Sequence, residues 1–298
     1  MRIFQVDTFT HTRFAGNPAT VVLDADDCDD ATLHAIAREF PHAETAFVFA
    51  ADGPAHDVRL RFFNSRTESP FIGHATIAAH AVLLALGRRG LGVCRQSSGT
   101  GVIEVAAREA PAAAARQPLI EFRQSVPELG NPLPFKTTLR VAEALGVPGT
   151  SLHETLPARL ARKGGTRLLV PVADARALDL AGPNFDTLAQ LGVELGADGF
   201  FIFAHRPAPD DGSTDSRMFC PALGIPEDPV SGNAHAMLAT YLWELGQLGR
   251  QPSFIGRQGA QIKRPGEVHV TPEFDRGELV AVRIAGGAVI VSEGTLAR

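Results

Sequence analysis

The residues best suited to chemistry lie in two similar segments. The sequence PFIGHA at residues 70–75 is echoed by PVSGNA at residues 229–234, and equivalent positions are all 159 residues apart. Each copy leads into an apolar stretch that ends in Leu-Gly and predicts a helix. A helix start presents N–H groups without intrahelical partners and the positive end of the helix dipole, both of which attract anions. The two motifs therefore predict binding of a small carboxylate.

Four polar side chains in or near these segments could act on a bound acid. His74 and Asn233 occupy equivalent positions, Asp228 precedes the second motif, and Glu44 precedes an apolar strand. Each of the three ionisable residues also has an ordinary structural explanation: a polar helix start for His74, an Asp-Pro turn for Asp228 and an exposed strand edge for Glu44. Carboxylates and imidazoles can take and return a proton near neutral pH. These residue types suit proton transfer.

The elements that must position these residues follow from local patterns. Alternating or β-branched runs predict strands at 2–7, 20–23, 45–49, 58–63, 167–172, 199–204 and 216–219. Helices are predicted from Asp29 or Asp30 to about Glu39, and at 74–86, 138–145 and 185–191. The helix at 74–86 is apolar nearly all the way round, so we expect it to be buried, with Gly87 as its stop. His80, His235 and Cys220 are expected to be buried within or beside these elements.

The repeat predicts a duplicated domain. Arg61-Phe62-Phe63 is echoed upstream of the second motif by Arg217-Met218-Phe219. Two chance matches of a short pattern are the alternative, but the equal helix lengths and the upstream strands favour duplication. The turn-rich segment 125–134 is the candidate linker, and the polar segment 206–215 is predicted to be a loop without chemistry.

Composition excludes several classes of function. The net charge of −5 and pI near 6.1 argue against a nucleic-acid partner. No apolar stretch is long enough to predict a membrane span, and the N-terminus does not resemble a signal peptide. The three cysteines are too scattered for a disulfide framework or a metal site. We expect a cytoplasmic protein.

The motifs taken together resemble a known family. GNPA at 16–19, AET at 43–45, ESPFIGHAT at 68–76 and EDPVSGNA at 227–234 resemble the PhzF (phenazine biosynthesis-like) family in order and spacing, over almost the whole chain. The resemblance implies the α+β diaminopimelate-epimerase-like fold. That fold has two pseudo-symmetric lobes, each a curved, mostly antiparallel sheet around a central buried helix, with the active site in the cleft between them. We expect the lobes at 1–128 and 129–298, and the last strand could pack back on the N-terminal lobe.

The resemblance also implies an activity. It predicts a cofactor-independent isomerase that moves a proton on a small cyclic or unsaturated carboxylic acid, without a metal, in a homodimer. By resemblance the catalytic residues are Glu44, as the acid/base, His74 and Asp228. The residues implied to bind substrate are Gly73, Gly232, Asn233, Asn17 and Ser231. The phenazine enzyme's motif has serine at the position of Asn233, so the physiological substrate stays open.

Two other functions remain as alternatives. Racemases and epimerases of this fold use two opposed thiols, which precede the glycines of the two helix starts. Those positions are Ile72 and Ser231 here, and isoleucine cannot transfer a proton. A non-catalytic metabolite-binding protein of the same fold is the other alternative, which the presence of Glu44, His74 and Asp228 together makes less favoured.

Overall fold

Strands dominate the structure, a computed structural model that describes residues 1–40, 44–110, 117–206, 212–248 and 252–297. The strands in these ranges are β1 Arg2–Thr8, β2 Asn17–Leu23, β3 Thr45–Ala50, β4 Val58–Phe63, β5 Glu68–Ser69, β6 Gly92–Ser98, β7 Gly101–Arg108, β8 Leu119–Ser125, β9 Glu128–Pro132, β10 Arg159–Arg162, β11 Thr166–Pro171, β12 Gly199–His205, β13 Thr214–Cys220, β14 Ile225–Asp228, β15 Phe254–Gln258, β16 Gly266–Asp275, β17 Glu278–Gly286 and β18 Ala288–Thr295. The α-helices in the same ranges are α1 Asp30–Arg38, α2 Gly73–Ala85, α3 Phe135–Ala144, α4 Ala175–Leu180, α5 Phe185–Leu195 and α6 Gly232–Glu244, and short 3-10 helices lie at Gly149–Ser151 and Pro221–Leu223. The fold is therefore mixed α/β.

The chain divides into two compact units. The first comprises Met1–Arg123 together with Ala285–Arg298, and the second comprises Gln124–Ile284. The last strand, β18, thus belongs to the first unit, where it pairs antiparallel with β1. The division between Arg123 and Gln124 lies a few residues before the boundary expected at 128/129.

In the first unit, strand pairing follows a defined order. β1 pairs antiparallel with β2, β2 parallel with β3, and β3 antiparallel with β4. β4 then pairs parallel with β6, which pairs antiparallel with β7. Helix α2 connects the β4–β5 hairpin to β6 and packs against β1, β2 and β3. A parallel pair needs such a crossover connection.

The second unit repeats that order. β10 pairs antiparallel with β11, β11 parallel with β12, and β12 antiparallel with β13. β13 pairs parallel with β15, which pairs antiparallel with β16. Helix α6 takes the place of α2, between the β13–β14 hairpin and β15. Both units are mostly antiparallel, with their parallel pairs at equivalent places.

The two crossover helices are buried on nearly all sides. Both have 13 residues. In α2 every side chain from Ala75 to His80 is buried, and in α6 the same holds from Ala234 to Leu242. The prediction of a buried helix at 74–86 is confirmed with a shift of one residue. Gly87 follows it with a φ of 66°, as predicted for a glycine stop.

The segment 125–134 differs most from what the sequence predicts. It was expected to be a linker, but it contains strand β9, which pairs antiparallel with β10. Four of the five residues of β9 are polar, glycine or proline, and none is fully buried, so the strand lacks the apolar alternation that sequence reasoning relies on. Helix α3 also begins at Phe135, three residues before the predicted start, with Pro134 preceding it.

Some expectations lie outside the described residues. Ala43 of the AET motif does, and so do residues 207–211 of the predicted polar loop. The end of that segment, from Thr214, is already part of β13. None of the helices in the described ranges has the length and hydropathy that a membrane span requires.

Candidate functional site

Glu44 and His74 are brought together in the first unit. Oε2 of Glu44 lies 3.4 Å from Nε2 of His74, and the two side chains are 18% and 13% exposed. Glu44 immediately precedes β3, and its main-chain carbonyl accepts a hydrogen bond from the N–H of Thr20 at 3.2 Å. The parallel pairing of β2 with β3 therefore fixes Glu44, while the first turn of α2 carries His74. At this distance the carboxylate and the imidazole are within ion-pair range, but Nε2 of His74 makes no hydrogen bond within the described residues.

The start of α2 is built around Gly73. A Cβ added there would lie 2.8 Å from Cζ of Phe122, so a larger residue would displace this ring. Phe122 packs edge-on against Phe71, with ring centroids 5.3 Å apart, and Phe71 packs in the same way against Phe62. Ile72 at the N-cap contributes no side-chain hydrogen bond to the helix. The start of α2 is thus flanked by apolar side chains, which favours a desolvated site.

The GNPA motif positions the strand that holds Glu44. Gly16 has a φ of 61°, and a Cβ there would lie 2.0 Å from the carbonyl oxygen of Thr8, so glycine is required. The hydroxyl of Thr8 donates to the carbonyl of Asn17 at 2.8 Å. Asn17 is buried and begins β2, three residues before the Thr20 that holds Glu44. Asn17 therefore lies in the same strand as the Thr20 that holds the main chain of Glu44, and it accepts the hydrogen bond from Thr8 through its main-chain carbonyl.

At the start of α6 the second group of predicted residues lies together. Oγ of Ser231 accepts from the N–H of Ala234 at 3.2 Å and caps the helix. The Gln258 side chain accepts from the N–H of Ser231 at 3.1 Å and donates to the carbonyl of Asp228 at 2.7 Å. Gln258 is buried and holds both ends of the segment between Asp228 and Ser231. Sequence reasoning missed it, because Gln258 is 27 positions from Ser231 and belongs to no recognised motif.

Asn233 is tied to a hairpin of the same unit. Its Nδ2 donates to the main-chain carbonyl of Lys163 at 2.7 Å, and its side chain is half-buried. Lys163 lies in the turn between β10 and β11. Gly232, the first residue of α6, is buried. The sequence placed Asn233 at a helix start, but its contact with Lys163 appears only in the folded chain.

An arginine–glutamate pair occurs at equivalent places in both units. Arg217 forms two hydrogen bonds with Glu227, next to Asp228, and it also donates to two main-chain carbonyls. In the first unit, Arg61 forms the same paired contact with Glu68. Two parallel N–H to carboxylate bonds fix both side chains in one plane. The second pair thereby holds the main chain just before Asp228.

Two histidines behave as core residues, as predicted. Burial lowers the pKa of His80 to about 3 and that of His235 to about 4. Nδ1 of His80 accepts from the Arg89 guanidinium, and its Nε2–H donates to the side-chain oxygen of Gln96 at 3.0 Å. Nδ1–H of His235 donates to the carbonyl of Ser231 at 2.7 Å. Both imidazoles are neutral near pH 7, and His235 adds a further support to the α6 start.

The thiols do not lie at the N-cap positions of the two crossover helices. Burial raises the pKa of Cys220, at the end of β13, to about 12, and raises that of Cys94 in β6 as well. Cys220 is buried, as predicted. The N-cap positions before Gly73 and Gly232 hold Ile72 and Ser231. Within the described ranges, no group of three or more His, Cys, Asp or Glu side chains is arranged to hold a metal ion.

Known proteins match this chain over nearly its full length. It is 34% identical to an uncharacterized isomerase, YddE, from Escherichia coli O157:H7, over 97% of this chain and 96% of that protein. Its structure resembles that of a phenazine biosynthesis protein of the PhzF family from Bacillus anthracis, with a TM-score of 0.89, 24% identity and coverage of 100% and 99%. A hydroxyproline epimerase from Agrobacterium vitis, solved with bound trans-4-hydroxy-L-proline, shares the fold at a TM-score of 0.62 and 14% identity, over 99% and 90% of the two chains.

The family itself is identified by a match over residues 6–294 to the model of phenazine biosynthesis-like proteins. This range includes all four motifs that carry the resemblance and both crossover helices. The relatives that align with the whole chain are named isomerases. The chain therefore belongs to the PhzC-PhzF family of phenazine biosynthesis-like proteins and is an isomerase of that family.

Proposed function

We propose that this isomerase moves a proton on a small cyclic or unsaturated carboxylic acid, with Glu44 as the acid/base and without an organic cofactor or metal. The observation that carries the proposal is the contact between Glu44 and His74, with 3.4 Å between Oε2 and Nε2 in a mostly buried setting. This distance is longer than a hydrogen bond, and catalytic hydrogen bonds are often long in a free enzyme and shorten when substrate binds. The β2–β3 pairing and helix α2 position the two residues.

In the proposed reaction, the Glu44 carboxylate removes a proton from a substrate carbon and the electron pair shifts through the adjacent unsaturated system. The same proton is then returned from the Glu44 carboxyl group to another carbon, so no atom or electron is gained or lost. His74 holds the Glu44 carboxyl group in place during both transfers. The N–H groups at the helix starts stabilise the negative charge that develops on the substrate.

The other residues implied by the resemblance receive proposed roles in binding. Asp228 is proposed to orient the substrate and to help manage its protons. The N–H group of Gly73 at the start of α2 and that of Gly232 at the start of α6 are each proposed to bind a carboxylate, and Ser231 and Asn233 are proposed to contact the substrate. Asn17, at the start of β2, is also proposed to bind the substrate. These roles agree with the supports described for the α6 start, where Gln258 and Ser231 order the segment after Asp228.

We further propose that the two units are pseudo-symmetric lobes that arose by duplication. The support is the shared order of antiparallel and parallel pairings, the equal lengths of α2 and α6, and the arginine–glutamate pair that precedes each helix. A duplicated fold gives two helix starts of similar construction. One of them has kept a proton-transfer residue, His74, while the other carries Asn233.

A two-thiol racemase mechanism is less well supported. The fold is shared with the hydroxyproline epimerase, and that protein's ligand is a small carboxylate. In this chain, however, the N-cap positions are Ile72 and Ser231, and an isoleucine side chain has no proton to transfer. The similarity therefore supports a small carboxylate as the ligand of this protein. It does not favour a two-thiol racemase mechanism.

The experiment is a screen for proton exchange. The protein is incubated in D2O with a panel of cyclic and unsaturated carboxylic acids, and deuterium incorporation is followed by NMR and mass spectrometry. Glu44→Gln is expected to lower the exchange rate by about 100-fold or more, the scale of one acid/base group. Glu39→Gln, at the exposed end of α1, is the matched control and should exchange like the wild type. Exchange by no compound in the panel, or normal exchange by Glu44→Gln, would refute the proposal.

A further inference from the structure

A cavity of about 190 Å³ lies in the second unit, beside the start of α3. An apolar cavity of about 150 Å³ can hold one benzene molecule. This cavity therefore has room for one six-membered ring with a small substituent. Most of its lining residues are apolar, among them Leu133, Phe135, Leu152, Leu156 and Pro171. Its polar lining residues include His153 and Glu154.

The segment 152–158 forms a wall of this cavity and is fixed by hydrogen bonds. The carbonyl of Ala158 accepts from the N–H of Leu133 at 2.8 Å. The carbonyl of Pro157 accepts from the hydroxyl of Tyr241, a buried residue of α6, at 2.7 Å. The wall is therefore held in place by the fold, so a ligand does not have to order it on binding.

The cavity is separate from the start of α6. Tyr241 lies in the last turn of this helix, whose 13 residues span about 20 Å. Strand β10 begins with Arg159, which pairs with Glu244 at the end of α6 at 2.9 Å. The strand is followed by Lys163, which contacts Asn233 in the first turn of α6. The wall of the cavity and the residues proposed to bind the substrate in this unit thus lie at opposite ends of the helix.

His153 offers a hydrogen-bond donor to this cavity. Its Nδ1 accepts from the main-chain N–H groups of Thr155 and Leu156, each at 3.2 Å. An accepting ring nitrogen carries no proton, so the proton of the neutral imidazole is on Nε2. Desolvation also lowers the pKa of His153, which favours this neutral form. The structure gives Nε2 of His153 no hydrogen-bond partner among the described residues, so this N–H is left for a ligand.

The charges around the cavity disfavour an anion. Glu154 follows His153 in the lining and is exposed. Because the imidazole is neutral and none of the lining residues is a lysine or an arginine, nothing in the lining offsets this carboxylate. A ligand carboxylate would be repelled by Glu154 and would lose part of its hydration. The acceptor best suited to the Nε2–H group is therefore an uncharged carbonyl oxygen.

We infer that this cavity is a second ligand site, which binds an uncharged molecule with one six-membered ring and a carbonyl oxygen. The ring packs against the leucine and proline side chains of the lining, and the oxygen accepts from the Nε2–H group of His153. Phe135, which is 68% exposed, contacts the ring from the open side of the cavity. The site goes beyond the proposed function, because the proposed substrate is an acid bound at the helix starts.

The test compares benzamide with benzoate, which have the same shape and differ in charge. The full chain is titrated with each compound, and the methyl signals of Leu133, Leu152 and Leu156 are followed by NMR. Benzamide is expected to shift these signals in a saturable way, with a Kd of about 1 mM or lower. Benzoate should bind at these methyl groups at least about tenfold more weakly. No saturable shift with benzamide, or equal affinity of the two compounds at these groups, overturns the inference.

Two variants assign the binding to the lining residues. His153→Asp keeps an acceptor for the N–H groups of residues 155 and 156 but has no donor, and it should weaken benzamide binding about tenfold. Phe135→Ala should weaken it about threefold through lost apolar contact. Phe274→Ala is the matched control, since Phe274 is exposed in the same unit and outside the lining, and it should bind like the wild type. If His153→Asp does not fold, Phe135→Ala, at an exposed position, decides alone. Wild-type affinity in the cavity variants overturns the inference.

The result is independent of the proposed function. Glu44→Gln leaves the cavity unchanged, so it is expected to bind benzamide like the wild type while losing proton exchange. A second copy of the chain is the other possible occupant of the cavity. Methyl shifts that follow the protein concentration and do not respond to benzamide would reveal that copy and overturn the inference.

Discussion

Oε2 of Glu44 lies 3.4 Å from Nε2 of His74, although the two residues come from a strand edge and a helix start that are 30 positions apart. The side chains of His74 and Glu44 are 13% and 18% exposed, and Nε2 of His74 is itself buried. Their proximity means that a change in one alters the electrostatic environment of the other. The proposed chemistry of Glu44 should therefore depend on His74.

A double-mutant cycle tests this dependence. Glu44→Gln, His74→Asn and the double variant are compared for their rates of substrate deuteration. If His74 acts by holding Glu44, the two losses should not add, and the interaction should be about 1 kcal/mol or larger, as for residues in contact. Losses that add within about 0.5 kcal/mol would indicate that the two residues act independently.

The two arginine–glutamate pairs should differ in their effect on stability. The side chains of Arg217 and Glu227 are 9% and 10% exposed, whereas those of Arg61 and Glu68 are 20% and 41% exposed. Glu227→Gln leaves a buried guanidinium without its carboxylate and should lower the free energy of unfolding by about 3 kcal/mol. Glu68→Gln should cost about 1 kcal/mol or less, because Arg61 keeps its ion pair with Asp30 at 2.8 Å and is more exposed to water.

Urea unfolding of the two variants provides the measurement. The equivalent position of the two pairs makes each variant the control for the other. Equal losses in the two variants would show that burial of the Arg217–Glu227 pair does not determine how much this pair contributes to the free energy of unfolding. Because Glu227 precedes Asp228, its variant is also expected to weaken ligand binding, and Glu68→Gln provides the comparison.

Acid should destabilise the protein through its buried histidines. Burial lowers the pKa of His235 from 6.5 to about 4 and that of His80 to about 3. Below pH 6.5 the unfolded chain binds protons that the folded chain does not, so stability falls as the pH decreases towards the folded-state values. Above pH 6.5 these groups leave stability unchanged. Near pH 5 each should contribute a slope of about 1.4 kcal/mol per pH unit.

Unfolding free energies between pH 5 and pH 8 check this dependence. His235→Asn can keep a donor to the carbonyl of Ser231 but does not titrate, and it should reduce the slope below pH 6.5. His80→Gln should do the same in the first unit. An unchanged slope in both variants would mean that other groups cause the acid sensitivity.

Gln258 should be required for order at the start of α6. Gln258→Glu retains an acceptor for the N–H of Ser231 but removes the donor to the carbonyl of Asp228, which is 2.7 Å away. The new carboxylate would be buried against the Asp228 carbonyl and would repel it, so the segment between Asp228 and Ser231 should open more often. Hydrogen exchange followed by mass spectrometry should show faster exchange in peptides that cover it.

The same variant should also bind the carboxylate ligands more weakly, because the segment contacts them in the proposed function. Gln261→Glu is a suitable control, since its side chain donates to Asp179 in an exposed contact. Unchanged exchange at the α6 start in Gln258→Glu would contradict a supporting role for this side chain.

The sequence by itself determined the elements whose signals are local. The apolar run at 74–86 predicted a buried helix. Asp29 or Asp30 was predicted to cap α1, and Asp29 is the residue that accepts from the N–H of Thr32, at 2.8 Å. Strand β4 lies at the predicted residues. These features depend on neighbouring side chains and on periodicity, so they can be recognised without knowing the fold. The repeated motif also predicted two equivalent helix starts.

Only the tertiary structure decided which distant groups meet. The contact between Asn233 and Lys163 joins residues 70 positions apart, and Gln258 reaches Asp228 across 30 positions. Strand β9, with few apolar residues, forms because β10 is available to pair with it. Such contacts arise when the packing of the core fixes strand register and helix position, and no local pattern encodes them. For this reason the sequence could name Glu44, His74 and Asn233, while their partners became known only from the folded chain.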